Sequence, residues 1–318
     1  MKLRCAVLDD YQNVALSLAD WSVLGDRVEP VVFRQHIESE QELAERLQDF
    51  PIVVIMRERT PFPASLFARL PRLKLLVTTG MRNASVDLAA AAAHGVAVCG
   101  TGGAGAGTAE LTWALILGLA RSLVKENQAL RMNGRWQGTV GADLSGKRLG
   151  IIGLGKIGSQ VAQVGRAFGM EVSAWSQNLT LEKAEQAGVR YAAKEDLLAE
   201  SDYVTVHLVL SDRTRGLIGG RELALLKPTA YLINTSRAPI VDQAALIDAL
   251  RHRRIAGAGL DVFEAEPLPD DHPYRFLPNV LATPHIGYVT EAGYRVFFEH
   301  VVENIGAYLA GSPIRTLS

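Results

Sequence analysis

The chain has 318 residues, of which 48% are hydrophobic and 21% charged, with a formal net charge of -1. That is enough apolar material for two cores, and a near-neutral balance without a basic face or tail argues against a nucleic-acid partner. Two cysteines, Cys5 and Cys99, are too few for a disulfide framework, no apolar run reaches membrane-spanning length, and residues 1–10 lack the apolar core and cleavage site of a signal peptide, so a soluble, cytoplasmic protein with no membrane partner is expected.

In chain order, short apolar runs at Cys5–Leu8, Val28–Phe33, Ile52–Met56, Leu73–Val77 and Val96–Val98 predict five strands. Between them, Glu38–Leu47 has apolar residues four apart, Pro61 and Pro63 open a helix carrying Phe62 and Leu66, and Val86–Ala93 is helical up to Gly95. Strands alternating with helices predict a small parallel sheet covered on both faces. Gly100–Gly107 is too rich in glycine for a regular element. A single long helix is expected from Thr108 to about Leu130, then a polar stretch, Asn133–Ser145, around Trp136. The tryptophan is expected to pack across an interface.

The second half opens on Arg148–Gly158. Leu149–Leu154 reads as a buried strand, Gly153, Gly155 and Gly158 form a G-x-G-x-x-G turn, and Ser159–Phe168 reads as a helix. In that context the motif is a dinucleotide fingerprint. Gly153 allows the tight turn, Gly155 lets backbone amides approach a pyrophosphate, and Gly158 lets the helix sit close to the sheet. The helix N-terminus then faces the phosphate charge. Five further strands are predicted at Glu171–Trp175, Val204–Leu210, Tyr231–Asn234, Ala256–Val262 and Val280–Ala282, with helices at Leu181–Ala187, Arg221–Leu226 and Asp242–Arg251. Six strands match two mononucleotide-binding halves. A last helix, Glu291–Leu309, carries Tyr294, Phe297 and Phe298 and is expected to cross back to the first sheet.

Three segments follow strands of this second sheet, where open α/β sheets place their sites. Asn234-Thr235-Ser236-Arg237 offers an arginine able to grip a carboxylate with two parallel hydrogen bonds. Leu260–Pro267 offers Asp261, Glu264 and Glu266, and Thr283–Gly287 offers His285. A histidine whose tautomer is fixed by a carboxylate is an acid/base arrangement. A surface ion pair for the arginine and a solvated loop for the glutamates are the competing explanations.

In these motifs the chain resembles the D-isomer-specific 2-hydroxyacid dehydrogenases, over nearly its whole length. The resemblance is carried by Gly153-x-Gly155-x-x-Gly158, Asn234-Thr235-Ser236-Arg237, Leu260-Asp261-Val262-Phe263-x-x-Glu266-Pro267 and Thr283-Pro284-His285-Ile286-Gly287, in that order. It implies an α/β fold in which a Rossmann-type doubly wound NAD(P)-binding domain, residues 100–287, joins a smaller flavodoxin-like parallel α/β substrate domain, residues 1–99 with 288–318, with the active site in the cleft. It implies that Arg237 binds the carboxylate and 2-oxo group of the substrate, that His285 gives and takes the proton, and that Glu266 orients it. Thr79, Gly80 and Met81 map to a loop that holds the carboxylate through the Gly80 and Met81 amides, and Met56 and Arg57 are expected to line the same cleft. The implied cofactor is NAD or NADP, on Gly153, Gly155, Lys156, Ile157 and Gly158, with Ser176 and Gln177 at the ribose. His207, Thr214, Thr235 and Ser236 are expected along the crevice, and Thr108, Asp261, His285 and Gly287 beside the nicotinamide. No metal is expected. The implied reaction interconverts a small 2-oxo acid and its D-2-hydroxy acid by hydride transfer. The implied assembly is a homodimer that uses Trp136 and the long helix.

Several positions depart from the family pattern. Ser176-Gln177-Asn178 stands where an acid normally meets the ribose. No carboxylate repels a 2′-phosphate there and no arginine follows directly to attract one, so NAD and NADP both stay open, with Lys183 or Arg190 as cations able to fold back. Met81-Arg82-Asn83-Ala84 replaces a glycine-rich Asp-Asn loop, Ala238-Pro239 replaces a glycine turn, and Leu208-Val209-Leu210 lacks the usual proline. Glu266 in place of glutamine argues against a formate dehydrogenase. A phosphoglycerate dehydrogenase is an alternative, although no regulatory domain follows Leu317. A nucleotide-sensing corepressor is the alternative from another class, and turnover of glyoxylate, pyruvate or hydroxypyruvate separates it from an enzyme.

Overall fold

Alternating apolar residues decide both faces of the first sheet. In a computed structural model describing residues 2–103 and 105–318, the strands are β1 (Leu3–Val7), β2 (Val28–Val32), β3 (Ile52–Ile55), β4 (Leu75–Thr78) and β5 (Ala97–Cys99), all parallel, in the order β2-β1-β3-β4-β5. Ala6, Val53, Ile55, Leu76 and Val98 point into one core with Leu43 and Leu47 of α1 (Glu40–Leu47), Leu66 and Phe67 of α2 (Ala64–Arg69) and Ala91 of α3 (Leu88–Ala93). Their neighbours Cys5, Val7, Ile52, Val54, Leu75 and Val77 are equally buried on the opposite face. The two cysteines are both buried and free.

The second sheet has seven parallel strands: β6 (Arg148–Ile152), β7 (Glu171–Trp175), β8 (Arg190–Tyr191), β9 (Tyr203–Val206), β10 (Tyr231–Asn234), β11 (Gly257–Leu260) and β12 (Val280–Ala282). Their order, β12-β11-β10-β9-β6-β7-β8, reverses direction between β6 and β9, and a ligand crevice opens at such a switch point, beyond the carboxyl ends of the strands. One face packs Leu149, Ile151 and Ala174 against α4 (Gly107–Ala120), α6 (Lys156–Ala167) and α7 (Leu181–Gln186). The other packs Ile152, Val204 and Leu232 against α8 (Lys194–Glu200), α9 (Gly220–Leu225) and α10 (Gln243–Arg251). The sheet is therefore doubly wound.

Three elements differ from expectation, the first being α8, which no predicted helix covers. The sequence predicts six strands here; β8, two residues long, is the seventh, too short for any periodicity to reveal. The single helix expected from Thr108 is broken: α4 ends at Ala120 and α5 (Leu123–Arg131) begins after Ser122, whose backbone is left-handed at φ 50°. Burial divides the two helices. α4 buries seven residues, including Trp113 and Ile116, while α5 buries none.

The chain divides into two compact units, one running to residue 104 and resuming at Thr290–Ser318, the other Gly105–Val289. These divisions lie a few residues from the positions 99/100 and 287/288 read from the sequence. The last helix, α11 (Glu291–Leu309), belongs to the first unit, where it packs against β4 and the Trp21–Arg27 turn. Its Asn304 side chain donates to Gly100 O at 2.8 Å. The tail then lies along β5, with Gly100 N donating to Arg315 O and Leu317 N to Val98 O, both at 2.8 Å. Among the described residues no helix is long and apolar enough to cross a membrane.

Candidate active site

In the second unit, β10 ends in a short polar turn organised by Asn234. Its Oδ1 accepts from Ser236 N at 3.0 Å and its Nδ2 donates to Arg237 O at 3.1 Å. Ser236 Oγ donates to Leu208 O, tying the turn to the end of β9. Thr235 shares a hydroxyl hydrogen bond of 2.8 Å with Thr112 of α4. Arg237, partly buried, has extended backbone and places Nη1 on Ser236 O at 2.8 Å.

The loop after β11 and the turn after β12 bring the histidine and one carboxylate together. His285 Nδ1 lies 2.6 Å from Glu266 Oε2, and Glu266 Oε1 accepts from Phe263 N at 2.8 Å. A carboxylate on Nδ1 places the ring proton there and leaves Nε2 as the atom that exchanges a proton with a ligand. Of the two glutamates left open by the sequence, Glu266 is the one paired; Glu264 is exposed and meets Gln243. His285 is a non-glycine residue at φ 52°. Asp261, buried, accepts from Thr283 Oγ1 at 2.7 Å, Ile286 N at 2.8 Å and Gly287 N at 2.8 Å. Burial raises its pKa above the ordinary aspartate value against those hydrogen bonds. Thr108 Oγ1 donates to Gly287 O at 3.2 Å.

The glycine turn fits a dinucleotide. Gly153 has φ 105°, and a Cβ on it would lie 2.8 Å from the His207 backbone. A Cβ on Gly158 would lie 2.1 Å from Gly153 O, so α6 and the turn are in direct backbone contact there. A Cβ on Gly155 meets nothing within 4 Å, so open space lies over the turn at the start of α6, where a phosphate would sit. Lys156 and Ile157 follow as the first residues of α6, and Lys156 Nζ leans towards Gly105. Across the switch point stands His207, just past β9. Its Nε2 is buried with no partner among the described residues, and burial pushes its pKa down to about 4. A buried neutral imidazole nitrogen without a partner suits a crevice that a polar ligand fills.

Ser176 and Gln177 follow β7, one partly buried and one exposed. Arg190 does not fold back to them: it sits in β8 opposite Ser173 and is paired with Glu200. Lys183 is exposed on α7. Thr214 closes an exposed turn, accepting from Ser211 N and donating to Val209 O, each at 2.8 Å.

In the first unit, the loop after β4 is packed on the loop after β3. Arg57 N donates to Thr79 Oγ1 at 2.9 Å, and Thr79 Oγ1 donates to Met56 Sδ at 3.2 Å. Asn83 Nδ2 donates to Arg57 O at 2.7 Å and to Thr78 Oγ1 at 2.9 Å, while its Oδ1 accepts from the Ser85 amide at 2.9 Å and hydroxyl at 2.6 Å. These bonds hold Arg57 at φ 51°. Gly80 has φ 96°, and a Cβ there would lie 2.7 Å from Arg57 Nη1, so the guanidinium lies over the loop. The Gly80 amide is already committed: it donates to Thr101 Oγ1 at 2.8 Å. Of the two amides expected to hold a carboxylate, Met81 is thus the one left open among the described residues. Met81 and Arg82 are exposed. Asn83, Thr101 and Thr112 are organisers that no motif announced.

Residues 113–287 match the family profile described as D-isomer specific 2-hydroxyacid dehydrogenase, NAD binding domain. The chain is 40% identical over 255 residues to a glyoxylate reductase of Aeropyrum pernix, covering 77% of this chain and 76% of that one. The chain belongs to the D-isomer-specific 2-hydroxyacid dehydrogenase family. Among its relatives is a D-3-phosphoglycerate dehydrogenase of Bacillus subtilis, 36% identical over 296 residues, which are 91% of this chain and 56% of that one. The chain thus spans little more than half the length of that relative. A crystal structure of a phosphoglycerate oxidoreductase from Vibrio cholerae superposes with a TM-score of 0.93 at 37% identity, covering 98% of this chain and all of that one. Membership makes the protein an oxidoreductase that uses a nicotinamide cofactor and acts on small 2-oxo or 2-hydroxy acids.

Proposed function

We infer that this family member reduces glyoxylate, hydroxypyruvate and similar small 2-oxo acids to D-2-hydroxy acids. The observation that carries the reading is the 2.6 Å contact of His285 Nδ1 with Glu266, on the same sheet edge as Arg237. When bound, the nicotinamide cofactor supplies the hydride. Arg237 holds the acid and polarises its carbonyl. His285 Nε2 gives a proton to the oxygen that becomes the alkoxide, and Glu266 keeps the ring in the tautomer that can do so. The balance is one 2-oxo acid, one hydride and one proton to one 2-hydroxy acid; oxidation runs the same steps backwards.

Met81 N serves the substrate carboxylate in the first unit, which we read as the substrate domain, with Thr79 and Met56 shaping the loop around it. The second unit, Gly105–Val289, is the cofactor domain. The glycine turn, Lys156 and Ile157 hold the pyrophosphate, and His207, Thr214, Thr235, Ser236, Thr108 and Gly287 line the rest of the cofactor's path. Ser176 and Gln177 meet the ribose, and with no charge at that position NAD and NADP are both accepted. Exposed Leu130, Met132, Trp136 and Val140 are the surface of a homodimer. Two free cysteines suit the cytoplasm.

A second reading is favoured by Arg57. A guanidinium over Gly80 suits an acid with a second negative group, as in a phosphorylated 2-oxo acid. Steady-state kcat/KM for glyoxylate, hydroxypyruvate, pyruvate and phosphohydroxypyruvate, each with NADH and NADPH, decides between the two. Highest efficiency with glyoxylate or hydroxypyruvate is expected. Turnover of none of the four overturns the enzyme reading in favour of a nucleotide sensor.

A further inference from the structure

Resemblance places Asp261 beside the nicotinamide, yet both oxygens of its carboxylate are already engaged by its own unit. Oδ1 accepts from Thr283 Oγ1 and Ile286 N, and Oδ2 accepts from Gly287 N. The three donors bracket His285, one before it and two after it. His285 N itself donates back to Thr283 O at 2.9 Å, so the turn is tight. A histidine at φ 52° occupies a region that a side chain with a Cβ disfavours, and it stays there only when its neighbours over-determine it.

We propose that Asp261 is a positioning residue, whose carboxylate clamps residues 283–287 and holds His285 in its left-handed backbone so that Nδ1 stays on Glu266. The proposal rests on the reading of His285 as the proton donor. One loop then fixes the histidine twice: Asp261 grips the Thr283 hydroxyl before it and the Ile286 and Gly287 amides after it, and Glu266, itself anchored on Phe263 N, grips the ring. From the far side Thr108 Oγ1 holds Gly287 O. A Cβ on Gly287 would lie 3.0 Å from Asp261 Oδ2, so the carboxylate packs directly against that residue. The chemistry of the clamp explains why the residue is an acid. Three donors converge on two oxygens, so an amide of the same shape turns an NH2 group against at least one of them.

The test is Asp261→Asn, with Thr283→Val and Thr283→Ser beside it. Thr283→Val keeps the shape of the side chain and removes one donor, whereas Thr283→Ser keeps the donor. His285→Ala is run in parallel, and cofactor affinity is measured by quenching of protein fluorescence with NADH and NADPH. Misplacing a reacting group costs about 100-fold. Asp261→Asn is therefore expected to lower kcat for glyoxylate by that factor while KM and the cofactor Kd change little. Thr283→Val is expected to follow in the same direction with a smaller loss, and Thr283→Ser to stay at the wild-type rate. A crystal structure of Asp261→Asn without cofactor is expected to show His285 out of the left-handed region and away from Glu266. The proposal is overturned if Asp261→Asn weakens cofactor binding in proportion to kcat, if His285 keeps its place in that crystal structure, or if Thr283→Val equals wild type. Should Asp261→Asn fail to fold, the two Thr283 variants still decide. Full activity of His285→Ala brings down the underlying reading, and the proposal with it; loss in His285→Ala with none in Asp261→Asn brings down the proposal alone.

Discussion

Arg57 and His285 stand in different units, yet each is a non-glycine residue at positive φ just past a strand of its sheet, at 51° and 52°. They are held by different chemistry. Around the Arg57 backbone the grips are neutral: Thr79 takes its amide and Asn83 its carbonyl, while the guanidinium meets the Glu58 carboxylate at 3.5 Å. Around His285 they are ionisable: Asp261 takes the backbone and Glu266 the ring. On the binding role proposed for Arg57, its side chain needs only to be presented, and neutral hydrogen bonds to its backbone suffice. On the proton-donor role proposed for His285, its ring needs to be held in one tautomer, and a carboxylate does that.

The sharpest way to break this comparison is to remove both side chains in turn. General acid–base catalysis is worth about 10²–10⁴-fold. His285→Ala should lose that much kcat for 2-oxo acid reduction and keep its cofactor affinity. Arg57→Ala should keep most of kcat and raise KM, most of all for acids carrying a second negative group. Equal kcat losses in the two variants would erase the distinction.

Acid stability sharpens it next. Burial pushes the His207 imidazole from 6.5 to about 4. Between those values the unfolded chain takes up a proton that the folded chain refuses, so stability falls as pH drops through the window and the loss is complete near pH 4. The loss is up to about 3 kcal/mol. His207 belongs to the second unit, so the first should not share this term. Urea midpoints at pH 7 and pH 5 for wild type and His207→Gln test it: the variant should lose less on acidification, and identical losses would remove His207 as the cause.

Asn83→Ala addresses the neutral side. It removes the donors to Arg57 O and Thr78 Oγ1 and the acceptor for Ser85. Each buried group left unpaired costs about 1–3 kcal/mol. A fall in thermal midpoint with a raised KM and nearly unchanged kcat is expected; a kcat loss as large as that of His285→Ala would mean that the Arg57 loop does more than present a side chain.

Ser176→Asp should have the smallest effect. An acid at the end of β7 repels a 2′-phosphate, and the NADH:NADPH ratio of kcat/KM should rise about tenfold. An unchanged ratio would place Ser176 away from the ribose.

Most strands were legible because apolar runs of four or five residues between turn signals leave few alternatives, and β7, β10, β12 and α11 fall on the residues the sequence predicts. The glycine turn ahead of α6 and the pairing of His285 with Glu266 were legible because the order of these motifs along the chain is itself a pattern. Hidden features depend on contacts remote in sequence. Ser122 breaks a helix that composition alone would continue. The Gly80 amide is lost to Thr101, twenty-one residues away. The three donors on the Asp261 carboxylate lie at residues 283, 286 and 287, more than twenty positions along the chain.

The first unit is completed by Thr290–Ser318, after the whole of the second unit has been made. On the ribosome its sheet therefore emerges early and waits. Until α11 arrives, the face that will pack beneath Phe297, Phe298, Val301 and Ile305 has no cover, and the edge of β5 lacks the tail that pairs with Val98 and Gly100. The second unit, continuous in sequence, has no such delay and can fold as it is synthesised. A newly made chain thus passes through a stage in which a finished cofactor domain is tethered to an unfinished sheet, and that stage is where a chaperone or a protease would meet it.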